Sequence, residues 1–478
     1  MTRVSRRRLA LSLGLLVLLA LAASAGVLLY LQAQGVAPRA LAPYVERRSA
    51  GHDPAISGAG AWLGQTLMRL DRGDAGPAPL PALLVGAQPA ASGSGQGAAR
   101  PVATLEEARA AFAAALAGDV ITFAPGVYRL RQALEARRAG VQGAPVTVRA
   151  AVPGSVTIEV DGAVGFLVAA PWWRFENLTV RGVCANQAFC EHAFHVTGRG
   201  NGFAAVNNTL ADFNAHFKIN GSGGSFPDGG LIEYNTLSNS SVRVTDAPVT
   251  PVDLVAANDW TVRANLILDF IKGGGDRVSY GVFAKGGAAR TLFERNVVVC
   301  EHMLRGQPGA RIGLSFGGGG TGKRYCRDGR CITEHEGGTM RANLVASCSD
   351  AGIYINSGAG TRIVHNTLLD SAGVQLRYPQ TAATMEGNLV DGAVAVRDEA
   401  QLRGSDNRLG SLALSYLGMH AARSLFAAPL EYDLRWQDAA PRRKAEPDAA
   451  AHPDLCGAQR PAAPAYGAFE DFKACLRP

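Results

Sequence analysis

The feature that most constrains this chain is an asparagine that returns every few dozen residues at the head of a short apolar run. It occurs at Asn177 (ENLTV), Asn208 (NNTLA), Asn235 (YNTLS), Asn265 (ANLIL), Asn296 (RNVVV), Asn343 (ANLVA), Asn366 (HNTLL), Asn388 (GNLVD) and Asn407 (DNRLG). Subtracting successive positions gives spacings of 31, 27, 30, 31, 47, 23, 22 and 19 residues. A unit of about 20–30 residues cannot bury its own apolar face and must stack on its neighbours. Alternating Val, Ile, Leu and Phe, broken by Asn, Gly and Asp, mark the units as strands and corners rather than helices. The combination predicts an all-β parallel β-helix solenoid in which the asparagines form a buried, hydrogen-bonded ladder. That role makes them structural rather than catalytic.

The flanks read differently. Leu9 to Leu31 is an uninterrupted apolar run of 23 residues behind Arg3, Arg6, Arg7 and Arg8. It exceeds the ~7–15 residues of a signal-peptide core and matches the ~20 needed to span a bilayer. Residues 1–32 are therefore expected to be an inner-membrane anchor with the basic end in the cytoplasm and the rest in the periplasm. Cleavage near Ala23–Ala25, giving a secreted protein, is the alternative. Residues 33–100 are rich in Ala, Gly, Pro and Ser and read as a tether with one short helix at Trp62–Leu70. The solenoid is expected over 101–435. It opens with a capping box, Thr104 to Glu107, and one amphipathic helix that plugs the apolar end. Residues 436–478 read as a C-terminal cover.

The eight cysteines fall as close pairs, Cys184 with Cys190, Cys326 with Cys331, and Cys456 with Cys475, while Cys300 and Cys348 occupy similar places on successive units. This predicts disulfides and an oxidising compartment. A zinc site at Cys326, Cys331 and His335 is the weaker reading, because no fourth ligand is in sight. A formal net charge of +7 suits an acidic partner. No arginine-rich tract or RNA-binding aromatic signature points to nucleic acid. The chain is expected to be a monomer.

The capping helix, then GDVITFAPGVY (118–128) and APVTVRA (144–150), then the train of Asn-bearing coils, resembles the pectate-lyase-like superfamily of right-handed parallel β-helices. The opening is most similar to the branch containing chondroitinase B and alginate lyases. The resemblance spans roughly residues 101–435. It implies a right-handed coil and acid–base work by a Lys and an Arg on a uronate polymer, with calcium as the cofactor of some members. No residue-by-residue match to that branch's catalytic motif exists here, so the metal stays unknown.

One strand per coil aligns without gaps: FHVTG (194–198), FKING (217–221), VDLVA (252–256), VFAKG (282–286), LSFGG (314–318), IYINS (353–357) and VQLRY (374–378). Strand alternation turns the first and third positions inward and the second and fourth outward. The outward columns are His195, Lys218, Asp253, Phe283, Ser315, Tyr354 and Gln375, and Thr197, Asn220, Val255, Lys285, Gly317, Asn356 and Arg377. An ordinary solvated face has no such theme, so these residues are expected to line a groove for an acidic sugar chain. The 47-residue interval carries a glycine run (Gly317 to Gly320) and a basic, cysteine-bearing loop expected to wall that groove.

β-Elimination needs a cation on the uronate carboxylate, a base for the C5 proton and an acid for the leaving O4. Lys218 is the first candidate for base, on condition that burial and cationic neighbours lower its pKa, with His195 or His216 next. Lys285 and Arg311 are candidates to hold the carboxylate. Asp253, Asn220, Phe283, Tyr354, Asn356 and Arg377 are candidates to bind substrate, with Tyr354 or Arg377 also a candidate proton donor. An inverting hydrolase needs paired carboxylates, and the columns supply only Asp253. A C5-epimerase, or a polysaccharide-binding envelope protein without catalysis, fits the same residues.

Overall fold

The computed structural model describes residues 3–74, 76–90, 97–318, 320–444 and 452–477. They form two compact units, 1–74 with 410–421, and 75–409 with 422–478.

The larger unit is built from three long parallel sheets of twelve, ten and eleven strands. Successive strands of the chain go to different sheets, and each pairs with its counterpart one coil later. Thus Ala204–Val206, Thr209–Ala211 and Ala215–Asn220 pair with Leu231–Glu233, Thr236–Ser238 and Val252–Val255. Inward positions stack along the axis: Phe166, Phe194 and Phe217 lie ring on ring at 4.9 and 5.3 Å. The helix Leu105–Ala113 covers the first coil, with Phe112 against Trp173 at 5.0 Å. Its start is capped: Thr104 Oγ1 accepts from the Glu107 N–H, and Glu107 Oε2 reaches one residue past the cap to accept from the Ala103 N–H.

The corner between the twelve- and eleven-stranded sheets is a single left-handed residue followed by the ladder asparagine. Tyr234, Ala264, Arg295, Ala342 and His365 sit there at φ of 52–56°. Each costs about 1 kcal/mol or more without a Gly or Asn side chain. The asparagine offsets that cost. Asn265 Oδ1 accepts from the N–H and the Nδ2 of Asn235 at 2.9 and 3.0 Å, and its own Nδ2 donates to Ile232 O and to Asn296 Oδ1. The pattern runs unbroken from Asn208 to Asn407. Asn177 departs from the expected ladder. Thr179 pairs with Thr209, which sets Leu178 opposite Asn208. Asn177 instead accepts from Asn207 Nδ2 at 2.8 Å, one position off the main column.

The runs LIL (266–268), VVV (297–299), LVA (344–346) and TLL (367–369) do not alternate, because both faces of this sheet are covered. Val298 and Val345 point into the coil. Val297, Val299, Leu344 and Leu369 face an outer layer containing Leu83, Val85, Phe426, Leu434 and Phe469. Part of the expected tether is therefore a strap on the solenoid: Gly86, Ala87 and Gln88 donate backbone N–H groups to Ala264 O, Thr236 Oγ1 and Asn207 Oδ1. The cysteines pair as Cys184–Cys190, Cys300–Cys348, Cys326–Cys331 and Cys456–Cys475. Four disulfides point to an extracytoplasmic compartment.

The smaller unit holds the helix Arg3–Ala33, in which Ser12–Ala33 is long and apolar enough to cross a membrane, with a mean hydropathy of 2.4. The rest of the expected tether is more ordered than its composition indicated. Pro38–Ser49 and Pro54–Arg72 form a helical hairpin clasped by a buried Arg39–Asp71 ion pair at 2.6 Å. Two glycines that read as linker are its contact points. A Cβ at Gly60 would lie 1.8 Å from Ser49 Oγ, and one at Gly64 2.3 Å from Glu46 Oε1.

Replacing a mid-ladder asparagine leaves buried donors and a buried carbonyl unpaired, at about 1–3 kcal/mol each. Asn265→Ala is expected to lower the denaturant midpoint by an amount worth about 2–5 kcal/mol. Asn407→Ala, at the half-buried end of the ladder, should cost clearly less. Equal effects would contradict the ladder's role.

Candidate functional site

The ten-stranded sheet carries the columns. Its register sets His195 beside Lys218, Lys218 beside Asp253, Asp253 beside Phe283, Phe283 beside Ser315, Ser315 beside Tyr354, and Tyr354 beside Gln375. In the second column Thr197 lies beside Asn220, Val255 beside Lys285 and Asn356 beside Arg377.

Four column residues share one cleft. A cleft of about 730 Å³ opens over Lys218, Asn220, Val255 and Lys285. Two loops leaving the same sheet edge wall it. One spans 221–226 and presents Phe226; the other spans 320–329 and presents Arg324, Tyr325 and Arg327. Gly319 lies outside the described residues; Gly318 brings this loop's backbone against Lys285, since a Cβ there would stand 3.2 Å from Lys285 Cδ. Glu334 fixes the loop's base by accepting from the Gly286 N–H and from Thr321 Oγ1, both at 2.9 Å. Arg327 joins the two walls. Its guanidinium lies over the Phe226 ring, donates to both Asp228 carboxylate oxygens at 2.7 and 2.9 Å, and donates to Ala256 O. The expected walling loop thus lines the cleft. Its Cys326–Cys331 disulfide removes both thiolates from the zinc alternative, and His335 is buried and stacked on Phe316 at 4.0 Å.

The two lysines in the cleft differ. Lys218 Nζ touches Asp253 Oδ2 at 2.8 Å. A lysine in direct contact with a carboxylate suits charge neutralisation. Lys285 contacts no carboxylate among the described residues and lies over the Phe283 ring at 4.5 Å. Burial pushes its pKa down; the Asp253 carboxylate opposes that shift and the Lys218 charge adds to it. His195 Nε2 lies 2.8 Å from Asn220 Oδ1, and burial lowers its pKa despite that bond. His192, which sequence reasoning passed over, stands edge-on to His195 at 5.5 Å, with its pKa pushed by burial down to about 4.

Several expected site residues belong elsewhere. Arg311 is buried: its Nε donates to Glu301 Oε1 at 2.8 Å, and its terminal nitrogens donate to Pro308 O and Gln307 O. It has no surface to offer a carboxylate. His216 is fully buried, with Nε2 on Ser238 O and its pKa pushed by burial to about 4. Asp253 lies behind Lys218 and Phe283 beneath Lys285, both nearly inaccessible, so they tune the cleft from below. Tyr354, Asn356 and Arg377 lie outside the cleft. Tyr354 OH accepts from Asn356 Nδ2 at 2.8 Å, and Arg377 is paired with Asp398. The cleft's aromatic walls, Phe226 and Tyr325, were not picked out; the only signal was a glycine-rich excursion, GSGGSFPDGG, on the same strand edge as the longer insertion.

Calcium, raised by the resemblance, does not fit the cleft. It needs six to eight oxygens, several of them carboxylates. Here Asp253 already holds an ammonium, and among the described residues no three His, Cys, Asp or Glu side chains converge.

No family model and no curated protein matches the sequence. Among solved structures, the pectate lyase Pel9A superposes with a TM-score of 0.51 at 14% identity, over 76% of this chain and 90% of that one. The chain has the right-handed parallel β-helix fold. A PL6 family polysaccharide lyase from Pseudopedobacter saltans matches with a TM-score of 0.35 at 13% identity, over 65% of this chain and 91% of that one. A rhamnogalacturonan lyase matches with a TM-score of 0.43 at 12% identity, over 64% and 79%.

Arg327→Ala should unlatch the two cleft loops without disturbing the coils. Trypsin is expected to cut after Arg324 or Arg330 about five- to tenfold faster than in the parent, with the far-UV spectrum unchanged. Unchanged cleavage would show that the bridge does not hold the walls.

Proposed function

We propose that this β-helix acts on an acidic polysaccharide by β-elimination, in the cleft over Lys218 and Lys285, and that it does so at the cell envelope, held by its N-terminal helix. One observation carries the reading. Among the described residues lining the cleft, four are cationic (Lys218, Lys285, Arg324 and Arg327) and none is Asp or Glu. Such a lining recruits a polyanion. It offers no carboxylate pair for glycoside hydrolysis.

The lysine roles follow from their surroundings, and they reverse those expected from sequence. Lys218 and Arg324 neutralise the uronate carboxylate, which acidifies C5–H. Lys285, with its lowered pKa, is the base that takes the C5 proton. The C5 electron pair forms the C4=C5 double bond as the C4–O4 bond breaks. O4 then leaves with a proton from the Lys285 ammonium or from water at the open side of the cleft. Phe226 and Tyr325 supply flat faces for the sugar rings.

The test uses the detergent-solubilised chain, a panel of uronate polymers and absorbance near 235 nm, where an unsaturated uronate absorbs. Lys285→Ala should lose about 10²-fold or more of the rate, the scale of a missing general base. Because the neutral amine is the working form, kcat/KM should rise with pH through the Lys285 pKa and level off above it. Lys218→Ala removes a nearby cation, so its residual activity should need a higher pH than the parent. Full activity in Lys285→Ala would exclude this base. Proton exchange at C5 without absorbance would make the protein an epimerase, and binding with neither signal would make it a polysaccharide-binding protein.

A further inference from the structure

Residues 410–421 interrupt the solenoid's ending and belong to the smaller unit. The chain leaves the last ladder strand at Leu409, forms a short turn of helix at Leu412–Ser415, and rejoins the solenoid unit at Ala422. This excursion is attached to the end of the apolar helix. Gln32 Oε1 accepts from Ser411 Oγ at 2.9 Å and from the Ala413 N–H at 3.2 Å. The Tyr416 hydroxyl donates to Val36 O at 3.0 Å, and His420 Nε2 lies 2.9 Å from Leu70 O. Tyr416, Ala42 and Leu67 form a small core onto which Leu28 and Leu31 pack. The last two turns of the apolar helix are thus part of a folded assembly. The helix before them, residues 9–27, is about 28 Å long, enough for the ~30 Å hydrocarbon layer.

The excursion's other side is apolar and uncovered. Leu417 is 58% exposed, Met419 54% and Leu414 37%, within eight residues that also supply the buried Leu412, Ser415 and Tyr416. Leu29 and Tyr30 of the apolar helix are likewise exposed, at 63% and 65%. In water alone such a cluster is unfavourable. At the level of Gln32, beside a membrane-spanning helix, it meets the boundary between headgroups and acyl chains, where Leu, Met and Tyr are stable.

We propose that residues 411–419 are a second, interfacial membrane anchor, with Leu414, Leu417 and Met419 seated in the bilayer's headgroup–acyl boundary. This rests on the reading of residues 9–27 as a retained span. The excursion converts a single-point tether into a two-point attachment: the chain is held once by the helix and again where it returns from the last coil.

The full chain is reconstituted into phosphatidylcholine vesicles containing lipids brominated either at the 6,7 or at the 11,12 acyl positions. Leu417→Trp and, as a second site, Met419→Trp are compared with the parent, so that the difference in emission reports the introduced indole. Val127→Trp, at an exposed solenoid position, is the control. Emission at 417 or 419 should fall at least about twofold with 6,7-brominated lipid, less with 11,12-brominated lipid, and not at 127. Alkaline carbonate extraction separates the two layers of the argument. If the protein stays in the membrane but neither indole is quenched, the span holds and the interfacial anchor is refuted, the patch facing solvent or a second copy. If the protein is extracted, the span itself fails and the proposal falls with it.

Discussion

The structure depends on one corner. A left-handed residue is unfavourable, and repeating it on coil after coil would unravel a sheet edge unless something offset the cost at every level. The ladder asparagine does so, because its amide has a donor and an acceptor side and both are used. It accepts from the coil before and donates to the coil after, as Asn265 does between Asn235 and Asn296. Each rung is complete only when its neighbours are present. That coupling holds the three sheets in register, and the register brings His195, Lys218, Asp253 and Phe283 side by side.

On this frame the cleft is made by what departs from regularity. The coils supply a flat face with rungs about 4.8 Å apart. Concavity comes from the two loops that leave the same strand edge after Asn220 and after Phe316, bridged by Arg327 and Asp228. The proposed chemistry rests on unequal pairing of two like charges. Asp253 engages Lys218 directly and reaches Lys285 only through space, so one ammonium is neutralised and the other is desolvated against Phe283. In the proposed mechanism, removing Asp253 would disturb both, so this buried carboxylate acts there as a positioning residue.

The solenoid, its ladder, the capping helix and the outward columns were legible in the sequence, because each rests on a local period: two along a strand, and one coil along the chain. Asn177 was misplaced by one residue since its motif, ENLTV, mimics the ladder while strand pairing shifts it. The outer cover was hidden for another reason. Runs such as VVV at 297–299 announce a sheet buried on both faces but do not say what covers it. The helical hairpin was disguised by glycines that read as linker and act as helix contacts. In the site, column membership was legible and accessibility was not. Arg311 stands on the right sheet yet spends its guanidinium on Glu301, a partner ten residues away that no period links to it. The proposed lysine roles turn on Asp253 reaching one amine and not the other, a matter of side-chain reach that spacing does not encode.

The most direct test of the account is the titration of Lys285 itself. Competitive amine labelling of the intact chain across pH, read residue by residue by mass spectrometry, gives the midpoint at which this amine becomes nucleophilic. The account predicts a midpoint below the 10.5 of a free lysine, moving upward in Lys218→Ala. A midpoint at or above 10.5, or one indifferent to Lys218, would contradict the claim that unequal pairing leaves one of the two lysines as a base.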